Sequence, residues 1–171
     1  MVIWVIGLSG SGKTTFANEF CSILNNNNAK FVKIDGDVIR DIFQNDLGHN
    51  YKDRRKNANR IMRLCHFLDQ NGINVICSIL SVSEEDRVWN RKNISNYFEI
   101  FIDVKMDILK KRDSKGLYKS YENGKIKNVV GCDIKFDEPV NCDYRIENNR
   151  DLSFLFSHLD ILKNKIVSKN V

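Results

Sequence analysis

Gly7-Leu8-Ser9-Gly10-Ser11-Gly12-Lys13-Thr14 matches the pattern G-x-x-x-x-G-K-[ST] in full. It follows Val2 to Ile6, a short apolar run rich in β-branched residues that reads as a buried strand. It opens the stretch Lys13 to Leu24, where Phe16, Phe20 and Leu24 recur at helical spacing. Strand, glycine-rich turn and helix in this order predict a phosphate cradle. Glycines admit backbone conformations closed to other residues, so successive N–H groups of Gly7, Ser9, Gly10, Ser11 and Gly12 can turn toward phosphate oxygens. The helix N-terminus adds partial positive charge. Lys13 is expected to reach the β- and γ-phosphates of ATP. Thr14, with Thr15 beside it, is expected to bring its hydroxyl to Mg2+.

Beyond this loop the chain keeps alternating. Strands are expected at Lys30 to Ile34, Ile73 to Ser78, Phe98 to Val104 and Cys142 to Ile146. Helices are expected from Asp37 to Phe43, Asp53 to Gln70 and Ser83 to Asn93, from the fourth strand to about Arg112, and from Leu152 to Val167. Asn25 to Asn28 reads as a surface turn. Asp113 to Glu138 has little periodicity and holds Gly116, Gly124 and Gly131, so it reads as a long mobile loop. The fold class that follows is α/β, a five-stranded parallel sheet covered by helices on both faces in the manner of P-loop kinases. Residues 1–171 read as one domain with a lid at about 113–138.

The totals exclude several alternatives. No apolar run is long enough to span a bilayer, and the segment from Gly7 to Thr15 contradicts a secretory signal, so a cytoplasmic location is expected. Five cysteines without a C-x-x-C pair read as reduced thiols rather than a disulfide framework or a zinc site. A net charge of +5 without a basic block suits a polyphosphate site better than nucleic acid. Lys163, Lys165 and Lys169 read as a solvated helix face. His66 and His158 lack a second ligand at metal spacing and read as structural. Trp4 and Trp89 read as packing residues.

Asp35-Gly36-Asp37 closes the second expected strand, and strand ends line the ligand crevice of an open parallel sheet. Two carboxylates there could orient a metal and accept the proton of an attacking hydroxyl, or simply cap the next helix. They do not stand alone. Arg40, Asp46-Leu47-Gly48, Asp53-Arg54-Arg55, Asn57, Ser81, Lys115-Gly116-Leu117-Tyr118-Lys119, Ile126-Lys127-Asn128, Gly131, Asp133 and Glu138-Pro139 follow in order. From Val2 to about Arg145 this set closely resembles the adenylylsulfate kinase family. The resemblance implies that Asp37 is the general base toward a ribose 3′-hydroxyl and that Asp35 lies near the metal. It implies that Arg40, Arg54 and Asn57 hold the acceptor nucleotide, their charge suiting a 5′ diphosphate-like group. Leu80 and Ser81 match the I-S-P segment and are read as substrate-binding. Lys115 matches a lid lysine, Asn128 and Val129 match lid positions over the acceptor base, and Arg112 matches a residue against the ATP adenine. A homodimer is implied by the family alone.

The departures from that family cluster at the acceptor. Its members sandwich the acceptor adenine between two phenylalanines, and those positions here are His49 and Val129. The I-S-P-[YH]-R segment has become Leu80-Ser81-Val82-Ser83-Glu84. Base–aromatic stacking is worth about 1–3 kcal/mol per face, so losing two faces weakens adenine binding by tenfold steps. Either the acceptor has changed, or other aromatics such as Tyr51 or Phe136 compensate. The pattern also resembles the cytidine diphosphoramidate kinases of bacterial capsule modification, whose acceptor is a cytidine nucleotide with an amide-terminated 5′ diphosphate. The expectation is therefore a nucleotide 3′-kinase using ATP and Mg2+. Its acceptor is cytidine diphosphoramidate or, alternatively, adenylylsulfate. A nucleotide-binding regulatory protein with a decayed site is a third reading, against which intact Lys13, Thr14 and Asp37 argue.

Overall fold

A computed structural model describes residues 1–26 and 30–168. The Asn27–Asn28 part of the expected turn, and Lys169, lie outside the described residues. The five expected strands form, each within two residues of its sequence limits: β1 (Val2–Ile6), β2 (Phe31–Asp35), β3 (Asn74–Ile79), β4 (Tyr97–Asp103) and β5 (Tyr144–Glu147). They make one parallel sheet in the order β2-β3-β1-β4-β5. All five residues of β1 are buried, as a central strand covered on both faces requires. Its side chains alternate between two cores. Ile3 and Val5 point to the side of Phe16, Phe20 and Leu24, whereas Val2, Trp4 and Ile6 point to the side of Ile61, Met62 and Cys65.

The helices that cover those faces are α1 (Lys13–Asn26), α2 (Gly36–Ile42), α3 (Tyr51–Gln70), α4 (Glu84–Asn93), α5 (Met106–Arg112), α6 (Leu117–Glu122), α7 (Leu152–Phe156) and α8 (His158–Ser168). Helix α3 starts two residues earlier than Asp53 because Asn50 caps it. The Asn50 side chain accepts from the Asp53 N–H at 2.9 Å, and Asp53 accepts in return from Asn50 Nδ2 at 2.8 Å.

Two expectations need correction. The closing helix is broken at Ser157, because Asp151 caps the short α7 and α8 starts afresh. The stretch 113–138 is not one loop. It contains α6, whose Tyr118 is buried, and a packed turn where Val130 pairs with Ile134. Asp113 organises the start of α6, its carboxylate accepting from the N–H groups of Leu117 and Lys119 at 2.8 and 2.9 Å. A six-residue helix is too short to leave a periodic signature.

Several smaller expectations can be placed. The five cysteines are free thiols. Trp4 is fully buried, and Trp89 packs edge-on against His66. His158 shares a hydrogen bond with Tyr144. Lys165 does more than face solvent, since its ammonium donates to Asp143 O at 3.2 Å and lies over the Tyr144 ring. No helix among the described residues is long and apolar enough to cross a membrane.

Candidate active site

The sheet order reverses at β1, with β3 on one side and β4 on the other, so a crevice opens at the C-terminal end of that strand. A cavity of about 760 Å3 lies there. All the residues expected from the sequence to bind or act on ATP, metal or acceptor line it except Gly7 and Ser11. Those two sit behind the loop. A Cβ on Gly7 would come within 3.0 Å of Ile102 O, and Ser11 is fully buried with its hydroxyl unpartnered among the described residues.

The loop itself takes the shape glycines allow, with φ of +78° at Gly10 and +93° at Gly12. Lys13 Nζ donates to Leu8 O at 3.3 Å. Burial lowers the Lys13 pKa, while the carboxylates of Asp37 and Asp35 oppose that shift. Thr14 Oγ1 donates to Asp35 Oδ2 at 2.9 Å, and Ser78 Oγ donates to the same oxygen. The other Asp35 oxygen accepts from the Asp37 N–H at 2.9 Å, capping α2. The capping role weighed in the sequence is thus filled by Asp35, whose second oxygen is turned to the Thr14 and Ser78 hydroxyls of the cavity. Burial pushes the Asp35 carboxyl up, but the Ser78, Asp37 and Thr14 hydrogen bonds and the Lys13 charge outweigh it and hold its pKa below the usual value. Hydroxyl and carboxylate side by side are hard oxygen donors of the kind Mg2+ accepts beside phosphates and water. Among the described residues, no group of three or more His, Cys, Asp or Glu is placed to hold a metal ion through protein side chains alone.

Across the cavity, Asp37 is exposed and its Oδ2 lies 3.4 Å from Lys115 Nζ. Arg54 Nε donates to His49 O at 2.6 Å and its Nη2 to Asn128 O at 2.9 Å, so one guanidinium joins two cavity-lining segments that are far apart in the chain. Asn128 has φ +68°, and Asp133 holds this turn by accepting from the N–H groups of Asn128 and Val129 at 2.7 and 2.6 Å. Arg40 is buried, and its Nη1 donates to Leu47 O and Gly48 O, both at 3.1 Å, fixing the D-L-G turn. Arg112 donates to Arg150 O. Asn57 Nδ2 donates to Gly36 O at 3.2 Å, while its Oδ1 and the Ser81 hydroxyl are buried without a partner among the described residues. Ser81 also holds the strained φ of +44°. Val129 lines the cavity, yet its side chain is only 1% exposed and packs into the core. His49 is exposed, and partial desolvation of its ring together with the Arg40 and Arg54 charges lowers its pKa, with the Asp37 carboxylate opposing the shift.

Sequence reasoning missed Ser78, Tyr118 and Asn148 as contributors. Tyr118 stands inside the quoted K-G-L-Y-K run, but nothing in that run says what its hydroxyl reaches. Ser78 and Asn148 carry no local signal, because their partners Asp35 and Ser11 are 43 and 137 residues distant in the chain.

The profile of the adenylylsulphate kinase family matches residues 1–147. The chain belongs to that family. It is therefore an ATP-dependent kinase acting on a nucleotide hydroxyl. Among curated relatives, this kinase is 38% identical to the cytidine diphosphoramidate kinase of Campylobacter jejuni, over 86% of each chain. It is 35% identical to adenylyl-sulfate kinase 3 of Arabidopsis thaliana, over 85% of this chain and 71% of that one. Its fold superposes on the Mycobacterium tuberculosis APS kinase in complex with AMPPNP and APS with a TM-score of 0.87 and 28% identity, covering 98% of this kinase and 96% of the other chain.

Proposed function

We propose that this kinase transfers the γ-phosphoryl group of ATP to the ribose 3′-hydroxyl of a cytidine nucleotide whose 5′ diphosphate ends in an amide. One observation carries the choice of base. Among the described residues no Phe, Tyr or Trp lines the cavity, and His49 supplies its one aromatic ring. Tyr51 lies outside the cavity lining, and Phe136 packs on Phe101 instead, so neither compensates for the missing phenylalanine pair. A pyrimidine needs less flat surface than adenine. The similarity to the Campylobacter enzyme supports the same reading.

In this reading Lys13 and the amides of the phosphate loop hold the β- and γ-phosphates. Thr14 and Asp35 would hold Mg2+, which when bound shields phosphate charge. Arg54 and Arg40 face the 5′ diphosphate. Asn57 Oδ1 and the Ser81 hydroxyl, both lacking a partner among the described residues, would meet polar groups of the acceptor. Asp37 accepts the 3′-hydroxyl proton as that oxygen forms its bond to the γ-phosphorus and the bond from that phosphorus to the ADP oxygen breaks. Lys115, paired with Asp37 across the cavity mouth, orients the carboxylate and offers positive charge to the moving phosphoryl group.

The second reading is adenylylsulfate as acceptor, favoured by the TM-score of 0.87 to the APS-bound kinase. Initial rates with ATP, Mg2+ and each acceptor decide between them. The proposal expects the higher kcat/KM with cytidine diphosphoramidate, and a clear preference for adenylylsulfate refutes it.

A further inference from the structure

A loop rich in glycine is easily shaped and as easily misshaped. The peptides around Gly10 and Gly12 face few steric barriers, so something outside the loop must decide which way they turn. Two side chains from distant elements reach it. The Tyr118 hydroxyl on α6 donates to Ser9 O at 2.9 Å, and its ring is 1% exposed. Asn148 Nδ2, just past β5, donates to Ser11 O at 3.0 Å. Asn148 is itself fixed, since its backbone N–H is held by Asp103 O at 2.8 Å and the residue is 3% exposed.

A planar trans peptide carries its C=O and the following N–H on opposite edges. Holding Ser9 O outward therefore turns the Gly10 N–H inward, and holding Ser11 O outward turns the Gly12 N–H inward. Gly10 and Gly12 both line the cavity, and neither N–H donates to a partner among the described residues. Alternate carbonyls are tied from behind and alternate amides are left for a ligand.

We propose that Tyr118 and Asn148 are positioning residues that set the Gly10 and Gly12 amides toward the phosphates of ATP, with Tyr118 linking the 113–138 segment to the phosphate loop. The inference rests on the reading of the cavity as the ATP site. Burial raises the Tyr118 pKa, so its hydroxyl remains a donor throughout the neutral range.

Tyr118→Phe tests this with minimal change of shape, because the buried ring stays and only the hydroxyl is lost. Calorimetric titration of the folded protein with ADP and Mg2+ should show Kd raised about three- to tenfold, the scale of one net hydrogen bond. The acceptor KM at saturating ATP should stay unchanged. Asn148→Asp, which sets a carboxylate oxygen against Ser11 O, should weaken ADP in the same direction. A merely structural tyrosine would shift the urea midpoint and leave the ADP Kd of the folded protein where it was. Wild-type protein that fails to bind Mg-ADP would overturn the reading of the cavity itself. Wild-type binding with Tyr118→Phe within about twofold of it overturns the positioning role. Should Asn148→Asp fail to fold, the isosteric Tyr118→Phe result decides.

Discussion

Replacing Arg54 by lysine separates charge from geometry at the acceptor side. In the structure one planar fork bridges His49 O at 2.6 Å and Asn128 O at 2.9 Å, drawing the turn before α3 toward the 113–138 segment. A lysine ammonium keeps the charge but cannot present two donors in that fixed spread. At least one charge-assisted hydrogen bond is then lost. Such bonds contribute about 1.5–3 kcal/mol, and the half-exposed setting of Arg54 places this one at the low end. A loss of about 1.5 kcal/mol corresponds to about tenfold in affinity. Initial rates over a grid of ATP and acceptor concentrations should show the acceptor KM raised by about tenfold and the ATP KM within about twofold of wild type. The urea midpoint should barely move. An acceptor KM that stays put, or an ATP KM that rises in parallel, would refute the idea that Arg54 organises the acceptor pocket.

Asp37→Asn should lower kcat by about two to four orders of magnitude while ADP binding persists, and near-normal turnover would remove Asp37 as the base. Asp35 has a folded-state pKa below its ordinary value, so it contributes stability that is present above the unfolded pKa and lost as the pH falls through the folded one. Urea midpoints of wild type and Asp35→Asn should therefore differ most near neutrality and converge below about pH 4; a gap that widens on acidification contradicts this. His49→Phe should raise kcat/KM for adenylylsulfate by about fivefold or more by restoring one stacking face, and an unchanged value would count against the pocket argument. Adding Val129→Phe should cost about 1–3 kcal/mol of stability on urea unfolding, because that side chain is 1% exposed in a packed core; an unchanged midpoint would show that the position has room.

Local order carried much of this molecule into view. The glycines and the lysine of the phosphate loop sit within eight residues and follow a short apolar strand, so their chemistry and their placement are both local. Asp35-Gly36-Asp37 was equally visible, and cap and cavity position do not compete there, because Asp35 caps α2 with one oxygen and turns the other to Thr14 and Ser78. The closing helix and the 113–138 stretch were less legible. A five-residue helix and a six-residue helix are shorter than the window that periodicity needs, and the carboxylates of Asp113 and Asp151 hold first-turn N–H groups of each.

What the chain's order of residues determined alone was the alternation of strand and helix and the phosphate cradle, since both arise from neighbours in sequence. Tertiary structure decided which distant groups meet. Ser78 reaches Asp35 because β2 and β3 pair in register, Arg54 meets Asn128 across 74 residues, and Asn148 finds Ser11 because β5 ends beside the loop. It also decided that Val129 turns into the core while Phe136 packs on Phe101. Hydrogen bonds and stacking act over a few ångströms, and only the folded sheet sets which groups come that close.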